Sequence, residues 1–130
     1  MVNVITNVDC GNAPKKQAVL DFLVSVANSD FEAALQLLTD DIAIEIIGSG
    51  RFNGKKSVKE LMFKDGSSSG ITGMEVSNIL SHGKICAANG LWHFDDGGSV
   101  AFNNMYFFES HAPDAKIEKI LTYSVVLTNS

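Results

Sequence analysis

The order of periodicities along this chain predicts an α+β domain, with three N-terminal helices packed on a bent antiparallel sheet. Three observations predict it. Apolar residues recur at helical spacing only in the first half of the chain. From Met74 onward, long β-rich runs are separated by short turns, the pattern of an antiparallel meander. Between the two lies Ile42-Ala43-Ile44-Glu45-Ile46-Ile47, a β-branched run that ends at Gly48-Ser49-Gly50. Helices grouped before strands imply that the helices gather on one face of the sheet.

The elements follow in order. Residues 1–11 hold no sustained period and read as a loose lead-in. Asn12 can cap a helix whose first turn tolerates Pro14, and Val19, Phe22, Leu23 and Val26 give it one apolar stripe. Asn28-Ser29 ends that helix and Asp30 caps the next, where Phe31, Ala34, Leu35 and Leu38 repeat the stripe. Ile42 to Ile47 is a strand running into a turn, and Arg51 to Gly54 reads as a loop. Ser57 with Glu60 three residues later fits a capping box for a third helix carrying Val58, Leu61 and Met62. Asp65 to Gly70 is a Ser- and Gly-rich loop. Four strands follow: Met74–Ser81, Lys84–Phe94, Ser99–Glu109 and Lys116–Leu127. Asp95-Asp96-Gly97-Gly98 is a strong hairpin signal between the middle two.

Composition narrows the function classes. The 130 residues suit one domain, and 45% apolar with 19% charged residues is globular rather than disordered. A formal charge of −5, with lysines paired only at 15–16 and 55–56, argues against nucleic acid as a partner. No apolar run reaches the ~20 residues that span a bilayer, and no signal-peptide pattern opens the sequence, so a cytoplasmic, non-membrane protein is expected. Cys10 and Cys86 are expected as free thiols in such a compartment. No His, Cys, Asp or Glu spacing resembles a metal site.

The third long strand is the informative one. Its odd positions are Ala101, Asn103, Met105 and Phe107, and its even positions are Val100, Phe102, Asn104, Tyr106 and Phe108. A sheet with one wet face alternates apolar and polar residues, and this strand does not. One face can meet the helices. The other is expected to meet a second subunit, giving a homodimer through the outer sheet face.

Several segments resemble the nuclear transport factor 2-like superfamily, which includes ketosteroid isomerases, limonene epoxide hydrolases and SnoaL-like polyketide cyclases. They are Asp30-Phe31-Glu32-Ala33-Ala34 through Leu37-Leu38-Thr39-Asp40-Asp41, then Ile42 to Gly48, then Phe52-Asn53-Gly54-Lys55, with the later hairpin and terminal strand in matching order. The resemblance covers about residues 14–127, a single domain. It implies a strongly bent sheet and three helices forming a cone-shaped pocket, often paired as homodimers, that takes a small apolar molecule without a cofactor. Isomerase, cyclase or hydrolase chemistry of the SnoaL-like type is one implication; a non-catalytic ligand-binding or dimerisation module is the alternative. Ketosteroid isomerases place a carboxylate base late in the first long strand, where this chain has Ile46. Their helical Tyr donor corresponds to Phe22, and their second donor, a protonated Asp, falls near Asn103. Epoxide hydrolases need an Asp-Arg-Asp set, and the one arginine here is Arg51.

Three residues are candidates for chemistry. Asn103 is expected mid-strand in an apolar setting, bonded within the core or offered to a ligand carbonyl. His93 is the best titratable candidate, with an edge position near the hairpin as the plainer reading. Glu45 interrupts an isoleucine strand, either facing solvent or pointing inward as a general base. The pocket is expected to hold Asn103, Met105 and Phe107, with Phe22, Ile46, Trp92 and Ile120 completing it. Phe102, Asn104 and Tyr106 are then expected at the subunit face.

Overall fold

The computed structural model describes residues 2–65 and 70–127. Among them run β1 (Asn3–Thr6), α1 (Pro14–Ala27), α2 (Phe31–Gln36), β2 (Leu38–Ile46), β3 (Gly50–Asn53) and α3 (Lys55–Asp65). Then come β4 (Ile71–His82), β5 (Ile85–Phe94), β6 (Ser99–Phe108) and β7 (Ile117–Leu127). All seven strands join one curled sheet in the order β1-β4-β5-β6-β7-β2-β3. The expected α+β class and the four-stranded meander β4 to β7 are both present. The sheet is mixed rather than purely antiparallel, because β1 pairs parallel to β4 and β2 parallel to β7.

Local chemistry explains where the boundaries differ from the sequence reading. The lead-in carries a strand, since Val4 and Ile5 find ladder partners at Met74 and Glu75. Such pairing is non-local and leaves no periodic signature in four residues. The N-cap of α1 is Ala13 rather than Asn12, with no side-chain cap bond; Pro14 at the first helical position sets the start instead. Asp30 caps α2 as expected, accepting from the Ala33 N–H at 3.3 Å. The third helix starts at Lys55, so Ser57 sits inside it, and the expected capping box is not its start. The turn into it is made by Gly54 at φ +87°, whose carbonyl accepts from Val58 N. Arg51 lies in β3, a short strand hydrogen-bonded back onto β2, not in a loop. Most of the expected loop at 65–70 lies outside the described residues.

The helices share one face. α1 packs over β4 and β5, α3 over β2 and β3, and α2 bridges the two helices and β2. Val19, Phe22, Leu23, Val58 and Met62 meet Ile42, Ile44, Met74, Tyr106 and Phe108 in one buried cluster. Strand pleating then sorts every residue of β6. Phe102, Asn104, Tyr106 and Phe108 are buried under the helices, whereas Asn103 is exposed and Ala101, Met105 and Phe107 are half-buried. This inverts the expected faces. Asn103, Met105 and Phe107 lie on the open face, and Phe102, Asn104 and Tyr106 lie inside. The inversion has a simple cause. Both sets are apolar enough for a core, and the register places Asn103 beside Asn89 and Tyr123, and Phe107 beside Lys119.

A bulge between Val76 and Asn78 bends β4 against β5. Gly90 sits opposite it, and a Cβ there would lie 1.9 Å from the Glu75 carbonyl oxygen. The bend therefore exists only with glycine at 90. Gly90→Ala is expected to lower stability by at least about 1–3 kcal/mol, the usual cost of forcing extra volume into packed structure. Urea denaturation showing an unchanged midpoint would contradict this account of the bend.

Candidate functional site

Under the helices, the sheet presents a layered surface. Cross-strand register aligns Cys86, Tyr106, Ile120 and Ile44 in one row, and Ala88, Asn104, Thr122 and Ile46 in the next. The row beyond holds Gly90, Phe102 and Ser124, and the last holds Met74, Trp92, Val100 and Val126. Helix cover thins along this series toward β6 and β7, while Met74 of β4 stays fully buried. Tyr106 is fully buried, Ile46, Trp92 and Val100 are half-buried, and Val126 is 76% exposed. The open end is thus aromatic and aliphatic, with Trp92 and Phe102 rings 5.5 Å apart.

Three polar side chains inside form one chain. The Thr122 hydroxyl donates to the Asn104 side-chain carbonyl, and the Asn104 amide donates to Tyr106 Oη at 2.9 Å. Phe22 of α1 meets the Tyr106 ring edge-on, with centroids 6.3 Å apart. Among the described residues the Tyr106 hydroxyl hydrogen has no acceptor, so the chain ends in a donor. Burial pushes the Tyr106 phenol well above its ordinary value; the Asn104 hydrogen bond opposes this and the neighbouring Cys86 adds to it. Burial likewise pushes the Cys86 thiol up to about 11, against a smaller pull downward from Lys15 and Lys16. Both groups stay neutral near pH 7. They can donate hydrogen bonds there but cannot act as bases.

Of the residues expected in the pocket, Phe22, Ile46, Trp92 and Ile120 do share this face. The three expected to carry chemistry do not. Glu45 points to the open face and pairs with Arg51 Nε at 3.3 Å, beside Lys119 at a groove of about 200 Å³. Asn103 lines two further open-face grooves, of about 320 Å³ and 250 Å³. His93 is held on the open face by Glu75 and Ser99. Strand alternation decides all three, because each lies one residue out of phase with the buried set of its strand. The sequence reading missed Tyr106 and Thr122 as hydrogen-bond partners of Asn104, and Glu75 and Ser99 as partners of His93. The hairpin register was the available signal: the Asp95–Gly98 turn places His93 directly opposite Ser99.

No protein-family model matches the sequence, and no curated protein matches it. Solved structures do. A nuclear transport factor 2-like protein of unknown function from Burkholderia xenovorans superposes with a TM-score of 0.77 at 17% identity, covering 94% of this chain and 91% of its own. A protein assigned as a SnoaL-like polyketide cyclase from Shewanella denitrificans gives 0.72 at 8% identity, covering 88% and 92%. SalBIII, an epoxide hydrolase/cyclase-like enzyme with a role in pyran ring formation in the polyether salinomycin, gives 0.68 at 18% identity, covering 88% and 93%. This chain has the nuclear transport factor 2-like fold.

The raised thiol of Cys86 has a consequence for stability against pH. Below its ordinary value of 9.0 the thiol keeps its proton in both folded and unfolded chains. Between 9.0 and about 11 the unfolded chain releases a proton that the folded chain retains, so stability falls as pH rises through that window. Urea midpoints measured from pH 8 to 11 should fall for the natural chain and fall less for Cys86→Ala. Equal slopes would remove Cys86 as the cause.

Proposed function

We propose that this protein is a binding domain for a small, neutral, apolar molecule carrying one acceptor oxygen, held in a cone between the helices and the sheet. The observation that carries this reading is the Thr122–Asn104–Tyr106 chain, a directed series of hydrogen bonds ending in an unused donor amid apolar side chains. A buried donor left without a partner costs about 1–3 kcal/mol, and a ligand oxygen removes that cost. The aromatic and aliphatic open end at Trp92, Phe102, Ile46 and Val126 suits an apolar body. The SnoaL-like cyclase and SalBIII likenesses favour an oxygenated ring compound of polyketide type as the ligand class.

Binding is favoured over proton-transfer catalysis at this site. A general base must reach the proton it takes, and Glu45, Glu75 and His93 lie on the opposite face. Tyr106 would polarise a ligand carbonyl by donation alone.

The open face gives the domain its partner, a second copy of itself. The face spans β4 to β7, roughly 20 Å across from strand spacing, and the second copy covers it from its central asparagine row toward the Leu80 and Ile85 end. Leu80 and Ile85 beyond the asparagine row, and Tyr123 within it, are exposed there, away from the hairpin end at Ser99. A row of Asn78, Asn89, Asn103 and Tyr123 crosses the centre, with the Asn78 amide donating to Asn89 at 3.1 Å. Side-chain amides both donate and accept, so such a row can pair with its own copy across a two-fold axis.

Two measurements test this. Trp92 is the single tryptophan, so its fluorescence reports the open end directly. Titration with 1-tetralone should change that emission, with roughly fivefold tighter binding than tetralin, the worth of about 1 kcal/mol for one hydrogen bond. Tyr106→Phe should erase the difference; equal affinity for the two probes in the natural chain defeats the donor role. Light scattering at micromolar concentration should give twice the 14.0 kDa chain mass, and a clean monomer defeats the pairing.

A further inference from the structure

On the open face, at the hairpin end of β5 and β6, three side chains from three strands form a continuous relay. Glu75 Oε2 lies 2.6 Å from His93 Nε2, and His93 Nδ1 lies 2.8 Å from Ser99 Oγ. We propose that this is a nucleophilic serine site, in which Ser99 attacks the carbonyl of a small ester with an apolar acyl group. It is separate from the helix-covered face and does not depend on the ligand proposed for that face.

The argument begins with proton placement. An ionised carboxylate only accepts, so the Glu75 contact fixes the imidazole hydrogen on Nε2. Nδ1 of the neutral ring then carries a lone pair, and the Ser99 hydroxyl donates to it. Hydroxyl, base and orienting carboxylate are thus in the order and at the distances by which a serine is activated. Gly73 faces the ring across the strand pair, and a Cβ there would press within 3.3 Å of the Asn3 carbonyl while only touching the imidazole at 3.7 Å. The group is reachable, because the His93 and Glu75 side chains are 35% and 40% exposed.

Substrate class follows from the neighbours. Register sets Leu127 on the far side of Ser99 from His93, and Leu91, Ala101 and Val125 in the adjoining row. These form an apolar bed beside the hydroxyl, lying toward the edge of the face from the asparagine row. In the reaction, Ser99 Oγ bonds to the acyl carbon while its proton moves to His93 Nδ1. The tetrahedral adduct collapses, the ester C–O bond breaks, and the leaving alcohol takes the proton from Nδ1. Water then attacks the acyl-serine by the same path, returning the serine and releasing the acid. Glu75 holds the ring and its proton throughout and is a positioning residue.

The probe is 4-nitrophenyl butyrate, read in two ways: nitrophenolate release, and the mass of the peptide containing Ser99. The expected result is a butyryl increment on Ser99 and release that falls about 100-fold in Ser99→Ala and in His93→Gln, the usual worth of base-assisted attack. Glu75→Gln should lower kcat while leaving KM unchanged, the signature of a lost orienting contact rather than lost substrate binding. All three side chains are partly exposed, so circular dichroism and thermal melting verify that each variant is folded. Absence of a Ser99 adduct overturns the proposal, as does release unchanged in Ser99→Ala. Loss of melting temperature alone, with release unchanged, would identify the trio as a cross-strand tie.

Discussion

Everything in this molecule turns on which way β6 is pleated. The strand carries apolar residues on both sides, and its two possible phases differ by one residue. Tyr106 and Phe108 inside, against Phe22 and Lys15 of the first helix, fix the phase actually adopted. Once that phase holds, hydrogen-bond register carries it outward to β5 and β7 and from them to β4 and β2. Each strand then has no freedom left in what it buries.

That single choice separates two kinds of chemistry. Apart from Lys15, whose ammonium lies over the Phe108 ring and donates to the Ala112 carbonyl, the helix-covered face of the strands carries neutral groups, among them a threonine, an amide, a phenol and a thiol. The open face keeps the ionisable ones, with Glu45 beside Arg51, Glu75 beside His93, and Lys119 over the Phe107 ring. Charge stays where water can solvate it, and donors stay where their direction is preserved. A sheet of this kind can offer recognition on one side and proton transfer on the other without either disturbing the other's electrostatics.

The sequence revealed the elements better than the faces. The helices announced themselves through Val19, Phe22 and Leu23, and the meander through its turns, because both signals are local. β1 was invisible, since its partner is some seventy residues away. The faces were misread because Phe102 and Phe107 look alike in isolation. A finer reading was available in the charges: hairpin register aligns Phe107 with Ile85, and β7 brings Lys119 to the same row, which no dry core would hold. The hairpin displays the His93–Ser99 half of the relay, whereas Glu75 joins it only through the register of a third strand, beyond the β4 bulge.

The parallel pairing of β1 with β4 carries a practical consequence. β4 is twelve residues long and would otherwise be the outermost strand on its side, offering unpaired amides and carbonyls to any passing chain. Four residues near the start of the chain occupy that position, and Thr6 adds a side-chain bond to the Val76 carbonyl. These residues contribute little to the core, yet they act as a selvedge that keeps the sheet from unravelling into its neighbours. Trimming the chain there would turn a self-contained edge into an adhesive one.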